Sequence, residues 1–500
     1  MHSFRGLTRT AAIGCTVSLL AGCGGGGSSP SPHGPAPTPT PTPAPNICAT
    51  VQSTVRRAST IRRGVARAAS SAVDPTRLYV TYRPSGTAPE AIDRLAGAVR
   101  GVTLPATREG SHRAITLAAG TDASAVAAAL RANPAVVSVS PVHLRSTLQV
   151  ASPNDPAFND YDQWYLFKTD VTPDAWSHLP DGTGVSVAVI DTGADVTNVD
   201  LVSKIDYAES VIQGATTIGN AAVQDTNGHG TNVAGLAAAQ ANNAYGFAGV
   251  GYNAHLQIYK IFADATSTSD SQTASTADEA QAIADAVTHG ASVINLSLGS
   301  PPDGGAGADP VEQDAVEAAI TAGVTVVAAG GNDNGASPDY PGGYPGVIAV
   351  GASNTDDNNT CNYIGIVSEG VSSYSNSGVT MVAPGGDPPP PYTDSDVLHW
   401  VEGYSTTTAA YPPDRCTNSV FPPGSGEMVC RALFAGTSQA TPQVAGTAAL
   451  MMAYHGGARS LTPAIVLSIL TANTDNIGQP TALQGAGRLN AGKAVAAAHP

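Results

Sequence analysis

Residues 434–446 read FAGTSQATPQVAG, and they are the most informative part of this chain. A small Gly-Thr turn leads into Ser438, and an alanine-rich apolar run follows it as far as Met452. This order predicts a serine in the first turn of a buried helix, where unpaired N–H groups and the helix dipole favour negative charge. Such a serine is suited to attack a carbonyl while its own N–H binds the resulting oxyanion. The simpler alternative is a helix cap. Pro442 is expected within about one turn of the serine, where a missing N–H costs little.

Two upstream motifs favour the catalytic interpretation. Residues 184–193 form a near-continuous apolar run ending in Asp191, which predicts a buried parallel strand with an acid at its carboxyl end. Sites in open α/β sheets form at that end. Residues 227–235, NGHGTNVAG, place His229 between glycines at the predicted start of a tightly packed helix. Alone, the aspartate could be a helix cap or a metal ligand, and a lone histidine is more often a surface or capping residue.

The order Asp191, His229, Ser438 is the order found in subtilisin, and it differs from that of chymotrypsin and of the α/β-hydrolases. With these three motifs, the chain resembles the subtilisin-like serine proteases, of the thermitase-like subtilase kind, from about residue 154 to 495. The resemblance implies a three-layer α/β/α fold with a mostly parallel sheet, and a serine endopeptidase activity. Ser438 would be the nucleophile, His229 the general base, and Asp191 the group that orients the imidazole.

The same resemblance assigns a second oxyanion donor. Asn332 follows the apolar run 324–329, which predicts another buried strand. In the family, the asparagine at this place donates its side-chain N–H to the oxyanion. The alternative is an ordinary turn residue after a strand.

Two short segments are expected to bind the substrate. They are Ser297, Leu298 and Gly299, and Ala329, Gly330 and Gly331. By resemblance, the first segment pairs with the peptide backbone as an added strand. The second forms the floor of the pocket for the residue before the scissile bond. Because no buried carboxylate is evident at this floor, we expect a broad or apolar preference.

A structural calcium site is also implied by the resemblance to thermitase-like subtilases. The implied ligands are the side chains of Asp155, Asp200 and Asn243 and the backbone carbonyls of Gln240, Tyr245 and Phe247. An all-oxygen ligand set of this kind suits Ca²⁺. The alternative is that these are ordinary turn residues.

The N-terminal region divides into a targeting segment and a linker. Residues 1–23 combine basic residues with a short apolar stretch and end in Leu-Ala-Gly-Cys, which resembles a lipoprotein lipobox with Cys23 as the lipidated residue. An ordinary cleavage site is the alternative. Residues 24–72, rich in Pro, Thr and Gly, are expected to be a linker without a core. We therefore expect a lipid-anchored protein of the cell envelope, with the outer membrane favoured, or one released extracellularly after processing.

Residues 73–145 predict a small α+β unit before the main body at 146–500. Strand patterns at 77–82, 114–117 and 136–139 alternate with helix patterns at 89–99 and 123–132. This unit resembles the ferredoxin-like inhibitory propeptide of subtilases, which implies self-cleavage between about Arg145 and Asp155. An unrelated small binding module is the alternative.

Charge differs sharply between these two parts. Residues 49–145 contain 13 arginines and 5 acidic residues, whereas residues 146–500 contain 8 basic and 34 acidic residues. Opposite charge favours docking of the two parts, although both surfaces could simply be solubilising. The acidic body argues against nucleic acid as a partner. The expected partners are polypeptide substrates, the chain's own propeptide, and a membrane through the lipid anchor.

Cysteine spacing predicts one disulfide. Cys416 and Cys430 flank a loop rich in Pro and Gly and are the preferred pair, although pairing of Cys361 with either stays open. Both preferred residues lie in an apparent insertion, residues 386–430, to which the sequence assigns no role. The alternative function for the whole chain is a catalytically inactive envelope scaffold or adhesion module on the same fold.

Overall fold

The computed structural model describes most of the chain beyond residue 72. The described ranges are 73–83, 100–107, 110–117, 120–143, 153–159, 162–178, 185–266, 273–302, 308–355, 369–388, 399–409, 417–420 and 428–499. The predicted signal segment, the linker, the helix at 89–99, Cys23 and Cys416 all lie outside them. No helix within the described ranges is both long and apolar enough to cross a membrane.

The described residues between 73 and 143 form an antiparallel sheet with a core of its own. Its elements are β1 (Val73–Tyr82), β2 (Arg100–Thr107), β3 (Gly110–Thr116), α1 (Ala123–Arg131) and β4 (Val136–His143). The strand order is β2-β3-β1-β4. Buried side chains of Leu78, Val80, Ile115 and Leu130 pack between the sheet and α1. The predicted strands at 77–82, 114–117 and 136–139 and the helix at 123–132 are confirmed, whereas β2 was not anticipated.

The body contains one large sheet, a small second sheet and helices of 4 to 19 residues. Its strands are β5 (Ser186–Asp191), β6 (Ile205–Ile212), β7 (Ala215–Ile218), β8 (His255–Lys260), β9 (Val293–Leu296), β10 (Thr325–Ala329), β11 (Ile348–Thr355), β12 (Glu369–Val371), β13 (Met381–Pro384), β14 (Val401–Tyr404), β15 (Thr417–Val420) and β16 (Met428–Phe434). Its helices are α2 (Pro156–Asn159), α3 (Trp164–Lys168), α4 (Val199–Val202), α5 (His229–Ala238), α6 (Thr276–Thr288), α7 (Pro310–Thr321), α8 (Thr437–His455), α9 (Pro463–Ala472), α10 (Thr481–Gln484) and α11 (Ala491–Ala497). A π-helical turn at Val171–Ala175 and a 3₁₀ turn at Asn220–Val223 complete the set.

The main sheet is mostly parallel, and its central strand is β5. The order is β12-β11-β10-β9-β5-β8-β6-β7, with β13 also paired to β11. β5, β9 and β10 each run parallel to both of their neighbouring strands. The edge strands β12 and β7 pair antiparallel with β11 and β6, respectively. Because parallel strands end at one edge, the residues that follow β5, β9 and β10 lie on the same side of the molecule.

Helices cover both faces of this sheet, because successive strand residues point to opposite sides. Val187 and Val189 of β5 pack in one core with α5 and α8. Ala188 and Ile190 pack in the other core with α6 and α7. Both faces of β5 are thus buried, which is why residues 184–193 read as a continuous apolar run. The expected three-layer α/β/α architecture is observed.

The segment between β13 and α8 forms a second, three-stranded sheet in the order β14-β16-β15. All of its pairings are antiparallel. Its first strand, β14, packs against α5, the helix that carries His229. The segment to which the sequence assigned no role therefore supports one wall of the candidate site.

Candidate active site

Asp191 and His229 form a hydrogen-bonded pair at the carboxyl edge of the sheet. Asp191 ends β5 and is 1% exposed, and its Oδ1 lies 2.8 Å from His229 Nδ1. Because an ionised carboxylate only accepts, Nδ1 is the donor and Nε2 is left as the basic nitrogen of the neutral ring. The histidine side chain is 29% exposed and so can reach a bound molecule. This arrangement suits a general base held by a buried acid.

Glycines allow the start of α5 to approach the end of β5. A Cβ on Gly230 would lie 2.3 Å from the Gly193 carbonyl oxygen and 3.0 Å from Asp191 Oδ1. The Gly230 N–H instead donates to Thr192 Oγ1 at 2.8 Å. Gly228, which precedes the histidine, has φ of +105°, a conformation that other residues rarely adopt. The Gly-His-Gly pattern therefore has a steric cause.

Ser438 is the second residue of α8, as the sequence predicts. Its Oγ donates to the Ser297 carbonyl at 3.1 Å, and Ser297 Oγ donates to the Ser438 carbonyl at 2.9 Å. Pro442 lies in the second turn of α8 rather than in its first, because the helix begins at Thr437. Proline cannot donate to the carbonyl four residues earlier, which is that of Ser438. The Ser297 hydroxyl takes the place of the missing donor.

A side-chain hydrogen bond joins the helices that carry the histidine and the serine. Gln439, directly after Ser438, donates to Asn232 Oδ1 at 3.2 Å. Asn232 lies one turn after His229 and donates to the Tyr404 carbonyl of β14 at 3.2 Å. Both amide residues are buried. The first turns of α5 and α8 are therefore held together by buried polar side chains.

Asn332 lies beside the serine helix with its carbonyl oxygen occupied. Asn332 Oδ1 accepts from both the N–H and the hydroxyl of Thr437, each at 2.9 Å. None of the described residues accepts a hydrogen bond from its Nδ2, and the residue is exposed. The amide therefore presents a fixed donor next to Ser438, which is what an oxyanion requires.

The two predicted substrate segments lie on either side of a buried acid that the sequence interpretation missed. Asp339 is 7% exposed, and its Cβ lies 3.2 Å from the position of a Cβ on Gly299. A Cβ on Gly331 would lie 2.5 Å from Asp339 Oδ2. The expectation that no buried carboxylate lies at this floor is therefore wrong. The residue was overlooked because only the folded loop brings it between these two glycines.

The residues of the predicted calcium site also converge. Asp155 Oδ2 accepts from the Asn242 N–H at 2.7 Å, and Asp200 Oδ1 accepts from Asn243 Nδ2 at 2.5 Å. The Asp200 carbonyl accepts from the Gln240 N–H at 3.0 Å. Both aspartates are fully buried, and burial raises the pKa of Asp155 to about 6. Two buried carboxylates around an amide are a donor set that fits a hard cation.

Two observations limit how well the residues of the predicted calcium site fit a cation. Asn243 turns its Nδ2 toward Asp200 and its Oδ1 toward the Tyr245 N–H, so the amide must rotate before it can ligate a cation. Within the described ranges, no group of three or more His, Cys, Asp or Glu side chains could hold a metal. Any ion would depend on the two carboxylates together with amide and carbonyl oxygens.

Tyr404 of β14, which the sequence did not single out, also contacts residues of the predicted calcium site. Its hydroxyl donates to Asp200 Oδ2 and accepts from the Phe247 N–H at 3.0 Å. Burial raises the pKa of Tyr404, with the Asp200 carboxylate as the second cause. The tyrosine therefore stays protonated and acts as a donor.

Cys430 of β16 is disulfide-bonded. Every other cysteine of the chain lies outside the described residues. The pairing with Cys416 stays a prediction.

Comparison with known proteins gives consistent matches to one family. A model of the subtilase family matches residues 182–487. Thermitase of Thermoactinomyces vulgaris is 33% identical over 347 residues, which are 69% of this chain and 99% of thermitase. The structure of a protease from Pseudoalteromonas arctica aligns with a TM-score of 0.54 and 28% identity, covering 70% of this chain and 100% of that one.

A more distant structure shows the fold alone. Fervidolysin from Fervidobacterium pennivorans, a keratinolytic enzyme related to subtilisin, aligns with a TM-score of 0.56 at 21% identity. The match covers 86% of this chain and 62% of fervidolysin.

Proposed function

Because the chain belongs to the subtilase family of serine endopeptidases, we propose that Asp191, His229 and Ser438 are its catalytic triad. The observation that carries the proposal is the 2.8 Å contact between His229 Nδ1 and a buried Asp191, with Ser438 in the first turn of a neighbouring helix.

The reaction follows from the chemistry of these groups. Ser438 Oγ attacks the peptide carbonyl, and His229 Nε2 takes the proton and then delivers it to the leaving amine. Asp191 fixes the ring so that Nε2 is basic, and its buried charge stabilises the imidazolium that forms. Water then hydrolyses the acyl-enzyme by the same route.

The oxyanion is held by two donors in this proposal. The Ser438 N–H lies in the first turn of α8, where N–H groups have no intrahelical partner. Asn332 supplies the second donor, since Thr437 occupies only its oxygen. Both donors are in place before a substrate binds, so little reorganisation opposes the reaction.

Casein hydrolysis by the processed enzyme tests this assignment. Ser438→Ala is expected to abolish cleavage, while the matched control Ser468→Ala, at an exposed position of α9, should leave it intact. Full casein cleavage by Ser438→Ala would contradict the assignment. An inactive scaffold is not favoured, because it predicts a damaged triad and all three residues are present.

We further propose that the chain is made as a self-processed lipoprotein precursor. The antiparallel unit at 73–143, with its own core and its arginine-rich sequence, supports a role as inhibitory propeptide of the acidic body. N-terminal sequencing of the mature enzyme should give a start between residues 146 and 155. A Ser438→Ala precursor that is still cut there when purified alone would argue against self-processing.

Envelope anchoring is proposed from the lipobox-like sequence that ends in Cys23. Cys23→Ala is expected to move the unprocessed precursor from the membrane fraction to the soluble fraction, since acyl chains would supply the anchor. Unchanged membrane association would contradict lipidation.

Calcium is the proposed structural ion at Asp155, Asp200 and Asn243. The ion would supply positive charge between two buried carboxylates, and Asn243 would turn its amide oxygen inward. Chelation is expected to lower the melting temperature of Ser438→Ala protein, by mass action on the folded state. Chelation should have little effect on the melting temperature of a variant that carries Asp200→Asn as well as Ser438→Ala. Equal melting curves of Ser438→Ala protein with and without chelator would refute the site.

A further inference from the structure

Asp339 lies in the connection between β10 and β11, directly under the predicted pocket floor. Its N–H donates to the Gly330 carbonyl at 2.9 Å, which ties the loop to the end of β10. Tyr340, the next residue, pairs with Ser300 through two backbone hydrogen bonds, of 2.9 and 3.1 Å. The aspartate is therefore held against both substrate segments by backbone contacts on either side.

One carboxylate oxygen is occupied and the other is available. Asp339 Oδ1 accepts from Asn376 Nδ2 at 3.0 Å, and the same amide donates to the Gly330 carbonyl at 3.0 Å. None of the described residues donates to Oδ2. Asn376 thus fixes the orientation of the carboxylate and leaves one oxygen for another partner.

Two glycines lie in close contact with Asp339, and neither places a side chain over its carboxylate. Any side chain on Gly331 would collide with Oδ2, and one on Gly299 would crowd Asp339 Cβ at 3.2 Å. Gly331 also has φ of +104°, so the position favours glycine on conformational grounds. A long substrate side chain that enters between the two segments would reach the carboxylate without passing a side chain from either glycine.

Within the part of the chain that the structure describes, no cation neutralises this acid. None of the described Lys, Arg or His side chains forms an ion pair with Asp339. Burial raises the pKa of Asp339 to about 6, and the charge of nearby Asp333 adds to the effect. A buried carboxylate without a cationic partner is costly to keep ionised, and a bound cation would relieve that cost.

We propose that Asp339 is the specificity-determining residue of the pocket for the residue before the scissile bond, and that the enzyme prefers lysine or arginine there. The inference rests on the proposed endopeptidase function and replaces the broad or apolar preference expected from sequence. The ammonium or guanidinium group of the substrate would pair with Asp339 Oδ2, while Asn376 holds Oδ1. The acidic body would also attract cationic substrates over longer range.

A preference for Lys or Arg before the scissile bond selects one bond in the expected self-cleavage region, residues 145–155. Between residues 145 and 155, Arg145 is the one basic residue. The Arg145–Ser146 bond is therefore the expected site of self-cleavage. Arg145→Ala should slow precursor processing or shift its start point, whereas Arg145→Lys should preserve both.

The direct experiment uses four fluorogenic peptides that differ only in the residue before the scissile bond: Lys, Arg, Phe or Leu. The wild-type enzyme should cleave the Lys and Arg peptides with the higher kcat/KM. Asp339→Asn keeps an acceptor for Asn376 and should lower kcat/KM on those two peptides by about 30-fold or more, since one partner of a buried charge pair is lost. Its values on the Phe and Leu peptides should change little.

Asp333→Asn is the matched control, because it removes a neighbouring but exposed carboxylate and should keep the preference for Lys and Arg. A wild type that prefers Phe or Leu, or an Asp339→Asn enzyme with unchanged ratios, overturns the inference and leaves the endopeptidase assignment standing. A wild type that cleaves none of the four peptides and no casein overturns both.

Discussion

Two buried aspartates lie at the same edge of the sheet and differ in their partners. Asp191 is hydrogen-bonded to His229, a base that the fold itself supplies. Asp339 is hydrogen-bonded to the neutral amide of Asn376 and has no ion-pair partner among the described residues. In the proposed mechanism, the first acid orients an internal base and therefore governs the rate on every substrate. In our proposal, the second pairs with a cationic group of the substrate and therefore governs which substrate is chosen.

The largest expected effect comes from the same isosteric change at the two sites, measured on the Phe peptide. Asp191→Asn should lower kcat by about 10⁴-fold, because the imidazole is then held in the wrong tautomer. Asp339→Asn should leave kcat on this peptide close to the wild-type value. Similar losses in both variants would remove the distinction between the two acids.

A smaller loss is expected at the oxyanion donor. Asn332→Ala should lower kcat by about 10²–10³-fold, which is the range known for the corresponding donor in subtilisin and not a value obtained from this structure. The loss should be the same for the Lys and the Phe peptide, since the oxyanion is common to both. A loss confined to one peptide would place Asn332 in the specificity pocket instead.

The pH dependence of substrate preference also distinguishes Asp339 from Asp191. Burial raises the pKa of Asp339 to about 6, so the carboxylate is charged above that pH and becomes neutral below it. The ratio of kcat/KM for the Lys peptide to that for the Phe peptide should therefore fall as the pH drops through about 6. Protonation of His229 affects both peptides and cancels in the ratio. Asp339→Asn should show a low ratio at every pH, and a ratio that is constant in the wild type would contradict the proposal.

The smallest effect concerns stability. An acid with a raised pKa in the folded state destabilises that state above the folded pKa, and the penalty is relieved as the pH falls toward the unfolded pKa. Asp339→Asn, made on the Ser438→Ala background to prevent self-digestion, should therefore melt at a higher temperature than its parent at pH 8. The difference should shrink near pH 4. If Asp339→Asn is less stable than its parent at pH 8, the carboxylate stabilises the loop, and the proposed role in substrate binding is contradicted.

The positions of the candidate site residues could be predicted from sequence because their signals are local. Runs of apolar residues indicated β5 and β10, and the polar residues after each run had to lie at the carboxyl edge of a parallel sheet. The sequence patterns around His229 and Ser438 also predicted the start of a helix at each residue. The helices α5 and α8 begin where those patterns indicate.

The missed features depend on contacts between distant parts of the chain. Asp339 matters because it lies between Gly299 and Gly331, and no local pattern reports that loop geometry. Tyr404 matters through Asp200, which is 204 residues away. Pro442 lies about one turn after the serine as expected, but its missing N–H is tolerated for a different reason, because the Ser297 hydroxyl donates to the Ser438 carbonyl.

Labelling of the processed enzyme with a fluorophosphonate probe tests the central claim most directly, since the probe reacts with a serine only when a base and an oxyanion site activate it. Peptide mapping by mass spectrometry is expected to find the adduct on Ser438, with labelling lost in Ser438→Ala and strongly reduced in Asp191→Asn. An unlabelled wild-type protein, or an adduct on another serine that persists in Ser438→Ala, would contradict the account.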